Sequence, residues 1–212
     1  MSLLAKVCGL TCEADAALAL EAGADLLGFV VHPDSPRHCP DVRAAASVAP
    51  ERGVLVMVSM TADPILRAVD TSGLRRVQPH VPAVRRADVL GRLLAEGLEL
   101  ITPWADESGQ RDPEVGLLLW EPSPRTTGVP GGSGRTHAML HPPPRPFLLA
   151  GGLDGENLGE RLAAIPQDVL NRLRGVDAAS RLERSPGRKD PAKVRSFLQV
   201  LRAFEAAQTA SV

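Results

Sequence analysis

Cys8 closes the apolar run LLAKVC and is followed at once by Gly9, so its thiol stands where a buried strand gives way to a turn. A cysteine in such a place is either a small apolar filler or a thiolate held at the rim of a site. Other residues with chemistry sit at the ends of similar runs: Gln78 with His80, Glu121, and the stretch from Asp177 through Ser180 to Arg181. In HPDSPRH, Arg37 follows a loop stiffened by Pro33 and Pro36, and its planar guanidinium fork matches the two oxygens of a ligand carboxylate. Three glycine-bearing segments read as turns whose bare N–H groups can approach phosphate oxygens. These are GGSGR (131–135, with Gly132), AGGLDGEN (150–157, with Gly151 and Gly152) and SPGRKD (185–190).

These parts work together only if the chain gathers them around one mouth. Eight short runs rich in Val and Leu recur, at 3–8, 25–31, 53–59, 74–79, 98–103, 115–120, 145–150 and 173–178. They are continuously apolar, which implies strands buried on both faces, as in a parallel sheet covered by helices. Helical periodicity follows in CEADAALALEAGA, with a stop at Gly23, and in 41–49, 63–70, 82–96 and 156–164. A terminal helix is expected from Pro191 to about Ala207. Residues 104–115 and 122–145 carry many Pro, Gly and Ser, so the fifth and sixth helices should be short, irregular or missing. Eight β-then-α units favour a closed (β/α)8 TIM barrel, with an open doubly wound sheet as the alternative. The expected organisation is one domain over 1–207 and a frayed tail over 208–212. In a barrel the functional side chains belong at the C-terminal ends of the strands, and a phosphate commonly binds after strands seven and eight. Gly151 and Gly152 fall after the seventh run.

Bulk properties narrow the partners. The 212 residues carry a net charge of -1 and only 3% aromatics, with no tyrosine, so neither a field for a polyanion nor stacking platforms for nucleic acid are expected. No apolar run approaches the length of a membrane span, and the first residues lack the order of a signal peptide, which points to a cytoplasmic protein. Cys8, Cys12 and Cys39 are sparse and odd in number, and CGLTC is too widely spaced for a CxxC element, so they read as thiols. The helix faces fit a monomer or a homodimer equally.

With these pieces in order, the chain resembles the phosphoribosylanthranilate isomerase family of tryptophan biosynthesis, from about residue 5 to residue 203. The resemblance rests on KVCGLT, EAGADLLGFVVHPDSPRH, VQPH, GGSGRT, LAGGLDGENL and PGRKD, which occur in family order. It implies a (β/α)8 barrel that rearranges N-(5'-phosphoribosyl)anthranilate to its 1-deoxyribulose phosphate isomer without metal or organic cofactor. It makes Cys8 the general base and Arg37 the group for the anthranilate carboxylate. It also makes Gly151, Gly152, the loop at Ser180 and the turn at Gly132 the phosphate-binding backbone.

The resemblance breaks in places. The family's acid is an aspartate that ends strand six, and the simplest alignment of GLLLWEP puts Trp120 there. A slip of one residue puts Glu121 in its place, which requires the strand to end early or to carry a bulge, since a one-residue shift reverses side-chain direction. Asp177 is a further candidate for acid function. QPHV keeps Gln78 and His80 but has Pro79 and Val81 where Leu and Gly are usual. Arg181 replaces a glycine at the phosphate, as a compensating cation or as a block, and ITPW leaves Trp104 where a lysine is often found. These departures allow an alternative, a catalytically impaired or repurposed barrel that binds another phosphorylated ligand, with Trp104 and Trp120 reshaping the pocket.

Overall fold

The computed structural model describes residues 2–105, 116–122 and 139–210. Eight parallel strands close into a barrel in chain order: β1 (Leu4–Cys8), β2 (Leu26–Val30), β3 (Gly53–Val58), β4 (Arg76–His80), β5 (Glu99–Ala105), β6 (Leu117–Glu121), β7 (Phe147–Leu149) and β8 (Leu173–Ala178). Pairing of β1 with both β2 and β8 closes the ring and excludes the open doubly wound sheet. Among the described residues the α-helices are α1 (Glu13–Glu21), α2 (Val42–Ala46), α3 (Ala62–Ser72), α4 (Arg86–Ala95), α5 (Leu158–Ala163), α6 (Gln167–Leu170) and α7 (Pro191–Ala210). Expectations for the fifth and sixth helices, and for the turn at Gly132, fall largely on 106–115 and 123–138, outside the described residues.

The double-sided burial inferred from the apolar runs has two separate cores. Cys8, Leu26, Val54, Val56, Ile101, Leu119, Leu148 and Ala150 pack inside the barrel. Val7, Leu27, Phe29, Leu55, Val77 and Leu118 pack outward against the helices. Because side chains alternate along a strand, one residue's face fixes that of its neighbours two positions away. α7 opens at Pro191 with Asp190 capping the N–H groups of Ala192 (2.9 Å) and Lys193 (3.3 Å). It buries Val194, Phe197, Leu198 and Leu201, one face of a helix, and continues to Ala210, past the expected end at 207.

Strand β6 corrects the reading of Trp120 and Glu121. Leu117 and Leu119 face the barrel interior, while Leu118 and Trp120 face the helices. Glu121 continues the inward series, and pairing with β5 runs unbroken from Ile101–Leu117 to Ala105–Glu121. Neither a bulge nor an early end is needed; the strand simply extends one residue beyond its apolar run. Trp120 stands edge-on to Phe147, with ring centroids 5.5 Å apart. Trp104 occupies the same outer layer and donates its indole N–H to the carbonyl of His141 at 2.9 Å. Both tryptophans are therefore core, and the expectation that they reshape the pocket fails.

Candidate active site

The inward residues at the C-terminal ends of the strands form a charged floor beneath the barrel mouth. On β1, Lys6 and Cys8 share the inner face, two residues apart. Lys6 is fully buried and its Nζ donates to Asp177 Oδ1 of β8 at 2.7 Å, across the strand pair that closes the ring. Burial opposes the charge on Lys6, but the carboxylate of Asp177 and the neighbouring Cys8 together hold its pKa above the ordinary lysine range. Burial pushes the Cys8 thiol up, and the ammonium of Lys6 is the largest influence opposing it, with Lys189 acting the same way. Gly28, paired with Cys8 in the sheet, makes room for the thiol, since a Cβ there would lie 2.7 Å from Sγ.

Glu121 is buried at the end of β6, and its carboxyl pKa is pushed up to about 8. Burial is the main cause and the charge of Asp177 adds to it, against the opposing pull of Lys6 and Arg86. It therefore keeps its proton at neutral pH, as a general acid must. Asp177 instead pairs its carboxylate with Lys6 and serves as its counter-ion. From β4, His80 Nδ1 stands 3.7 Å from Glu121 Oε1, and Gln78 Nε2 lies 3.0 Å from His80 Nε2. Burial, reinforced by the positive charges of Lys6 and Arg86, lowers the His80 pKa to about 4, so its imidazole is neutral. Pro79 lies between Gln78 and His80, and the strand face carrying these two is undisturbed.

Arg37 is held on two sides. Its stem lies against Gly9, where a Cβ would come within 2.7 Å of Arg37 Cδ and where φ is +74°. This accounts for the glycine that follows Cys8. Its Nε and Nη2 donate to Glu183 Oε1 and Oε2 at 2.8 and 3.0 Å. Glu183 opens a small hairpin after β8, made of β9 (Glu183–Ser185) and β10 (Arg188–Lys189). The segment 185–190 read as an anion cradle is the tip of this hairpin, and it packs on the loop after β2. Gly187 sits against the Pro36 carbonyl and accepts a bond from Thr11 Oγ1 at 2.8 Å.

After β7, Gly151 and Gly152 take successive positive φ values of 95° and 61°, a conformation that favours glycine at both positions. Asp154 accepts from the N–H groups of Glu156 (2.9 Å) and Asn157 (3.0 Å), while Asn157 Nδ2 donates to Gly152 O at 2.8 Å. Ser180 opens a 3-10 turn after β8, and the next residue, Arg181, pairs through Nε with Asp154. Arg181 thus ties the loops after β7 and β8 together with its guanidinium partly exposed.

Sequence reasoning passed over Lys6, Glu183, Lys189 and Arg86. Lys6 had a legible signal, a lysine inside an apolar run at same-face spacing from Cys8. The others are recognised only once distant segments meet.

A thiol, a protonated carboxyl and a buried ammonium at the C-terminal mouth define a (β/α)8-barrel enzyme equipped for acid–base chemistry. The model of the N-(5'-phosphoribosyl)anthranilate (PRA) isomerase family matches residues 5–200, and the chain belongs to that family. It is 33% identical to the N-(5'-phosphoribosyl)anthranilate isomerase of Nitrobacter winogradskyi, over 97% of this chain and 95% of that protein. It is 36% identical to that of Citrifermentans bemidjiense, over 91% and 94%. Among solved structures, the phosphoribosyl anthranilate isomerase of Thermus thermophilus superposes with a TM-score of 0.76 at 28% identity, covering 95% of this chain and all of that one. Among the described residues no helix is long and apolar enough to cross a membrane.

Proposed function

We propose that this chain isomerises N-(5'-phosphoribosyl)anthranilate by an Amadori rearrangement in tryptophan biosynthesis, with Cys8 as base and Glu121 as acid. Glu121 protonates the ribose ring oxygen while the anilino nitrogen pushes its lone pair toward C1', so the C1'–O bond breaks and a Schiff base forms. Cys8 thiolate then removes the proton from C2', giving an enolamine. Tautomerisation places a proton on C1' and leaves a ketone at C2', so atoms and electrons balance within one molecule and no oxidant enters.

The observation that carries this reading is that Glu121 continues the inward series of β6 and is buried there, which pushes its pKa up to about 8. An acid of that kind supplies roughly 10² to 10⁴ in rate. Arg37 meets the anthranilate carboxylate. Gly151, Gly152 and Ser180, with Arg181 as an added cation, meet the phosphate, and Gln78 and His80 line the ring side. Turnover of freshly prepared substrate by purified protein, together with rescue of a tryptophan auxotroph lacking this step, tests the assignment. Absence of both overturns it.

A further inference from the structure

An arginine at a ligand carboxylate needs its guanidinium aimed as well as present, and in this chain the aiming is done by residues outside the reacting set. Glu183 is buried, with its side chain only 4% exposed, and it grips Arg37 through the Nε–Nη2 edge. The same Oε1 accepts from Lys189 Nζ at 3.1 Å, and Lys189 donates onward to the carbonyl of Ala179 at 3.0 Å. The backbone carbonyl of Glu183 is in turn held by Lys193 Nζ at 2.9 Å. A guanidinium carries five N–H donors in a fixed plane, so a fork engaged on one edge leaves the Nη1–Nη2 end for a second carboxylate. With the stem pinned at Gly9, that end has little freedom to swing. Two cations on one carboxylate leave one positive charge, which suits a singly charged carboxylate on the ligand.

We propose that Glu183 is a positioning residue: it fixes Arg37 through the hairpin after β8 and thereby sets selectivity for substrates that carry an aromatic carboxylate. The proposal rests on the isomerase reading for the identity of the ligand, but its decisive measurement does not require turnover. The probes are the reduced product analogue, 1-(o-carboxyphenylamino)-1-deoxyribitol 5-phosphate, and its counterpart without the carboxylate. Calorimetry on the parent should show the carboxylated probe bound roughly 10- to 100-fold more tightly, the range expected for a charge-assisted pair. In Glu183→Gln the preference should shrink to within about threefold, with KM rising about tenfold and kcat changing little. Glu183→Asp keeps the charge but draws it back from the guanidinium, and it should show an intermediate preference. If Glu183→Gln does not fold, the aspartate variant carries the comparison. Parent-like preference and KM in whichever variant folds would overturn the proposal. A parent that discriminates between the probes yet turns nothing over would overturn the isomerase reading and leave the role of Glu183 standing.

Discussion

At the scale of single residues the chemistry depends on two protonation states that oppose each other in the free protein. In the proposed reaction the pair is a Cys8 thiolate with a Glu121 carboxylic acid. Burial pushes the thiol above its usual range, while Glu121 holds its proton up to about 8. Below that pH nearly all Glu121 is protonated and the thiolate is scarce, so the productive form grows roughly tenfold per pH unit. Above it, gain of thiolate is offset by loss of the acid, and the population levels. kcat/KM measured from about pH 6 to about pH 9 should therefore climb and flatten near 8, and a decline beginning well below 8 would contradict the assignment. Glu121→Gln should be slower by roughly 10² to 10⁴ and should continue to rise through that point, because it has no acid to titrate. Cys8→Ser should lower kcat by a similar factor, since a base acts chiefly in the transition state, and leave KM within about threefold. Steady-state kinetics on the purified variant checks this.

At the scale of elements, what decides the site is which face of each strand looks into the barrel, and this explains what the sequence revealed. The eight strands were legible because continuous Val- and Leu-rich runs suit a sheet covered on both sides. Cys8, Gln78 and His80 could be placed at the ends of strands, and Arg37 in the loop after the second, because those positions are local facts of the sequence. Glu121 was read as a candidate acid, but its inward direction was taken to need a bulge or an early strand end because the apolar run stops at Trp120, although alternation from Leu117 and Leu119 carries it inward. Lys6 with Asp177, and Arg37 with Glu183, lie 171 and 146 residues apart, separations that no local pattern spans. Alternation also makes Gly28 an inward residue with no room to spare. An added Cβ would sit 2.7 Å from the Cys8 sulfur and 3.0 Å from Cys8 Cα. Gly28→Ala should cost about 1–3 kcal/mol by overpacking and should depress kcat by displacing the thiol. Gly91→Ala provides the contrast, since it is exposed on α4 with nothing within 4 Å of the new Cβ. It should stabilise by about 0.5–1 kcal/mol with unchanged kinetics. Thermal melts and steady-state rates on the two variants separate crowding at the thiol from a general effect of replacing glycine.

At the scale of the whole molecule, ring closure and the proposed catalysis share one feature, the Lys6–Asp177 pair spanning β1 and β8. Closure itself does not require charge there, because the backbone pairing from Leu4–Gly175 to Val7–Ala178 already joins the first strand to the last. A buried ion pair is also a weak source of net stability, since desolvation offsets much of its attraction; what is costly is one partner left alone. Lys6→Met strands the Asp177 carboxylate and should cost about 3–5 kcal/mol. Lys6→Met combined with Asp177→Leu removes both charges and fills the space with apolar atoms, so its melting temperature should return to within a few degrees of the parent. Activity should not return with it. Lys6 is the largest influence drawing the Cys8 thiol back toward ionisation, and in the double variant the charge of Lys189 is left alone to oppose burial. Recovery of the melt without recovery of kcat would assign the pair to chemistry and the barrel to the backbone and its two apolar layers. Recovery of both would mean that the thiol needs no ammonium beneath it, and failure of both would make the pair part of the scaffold.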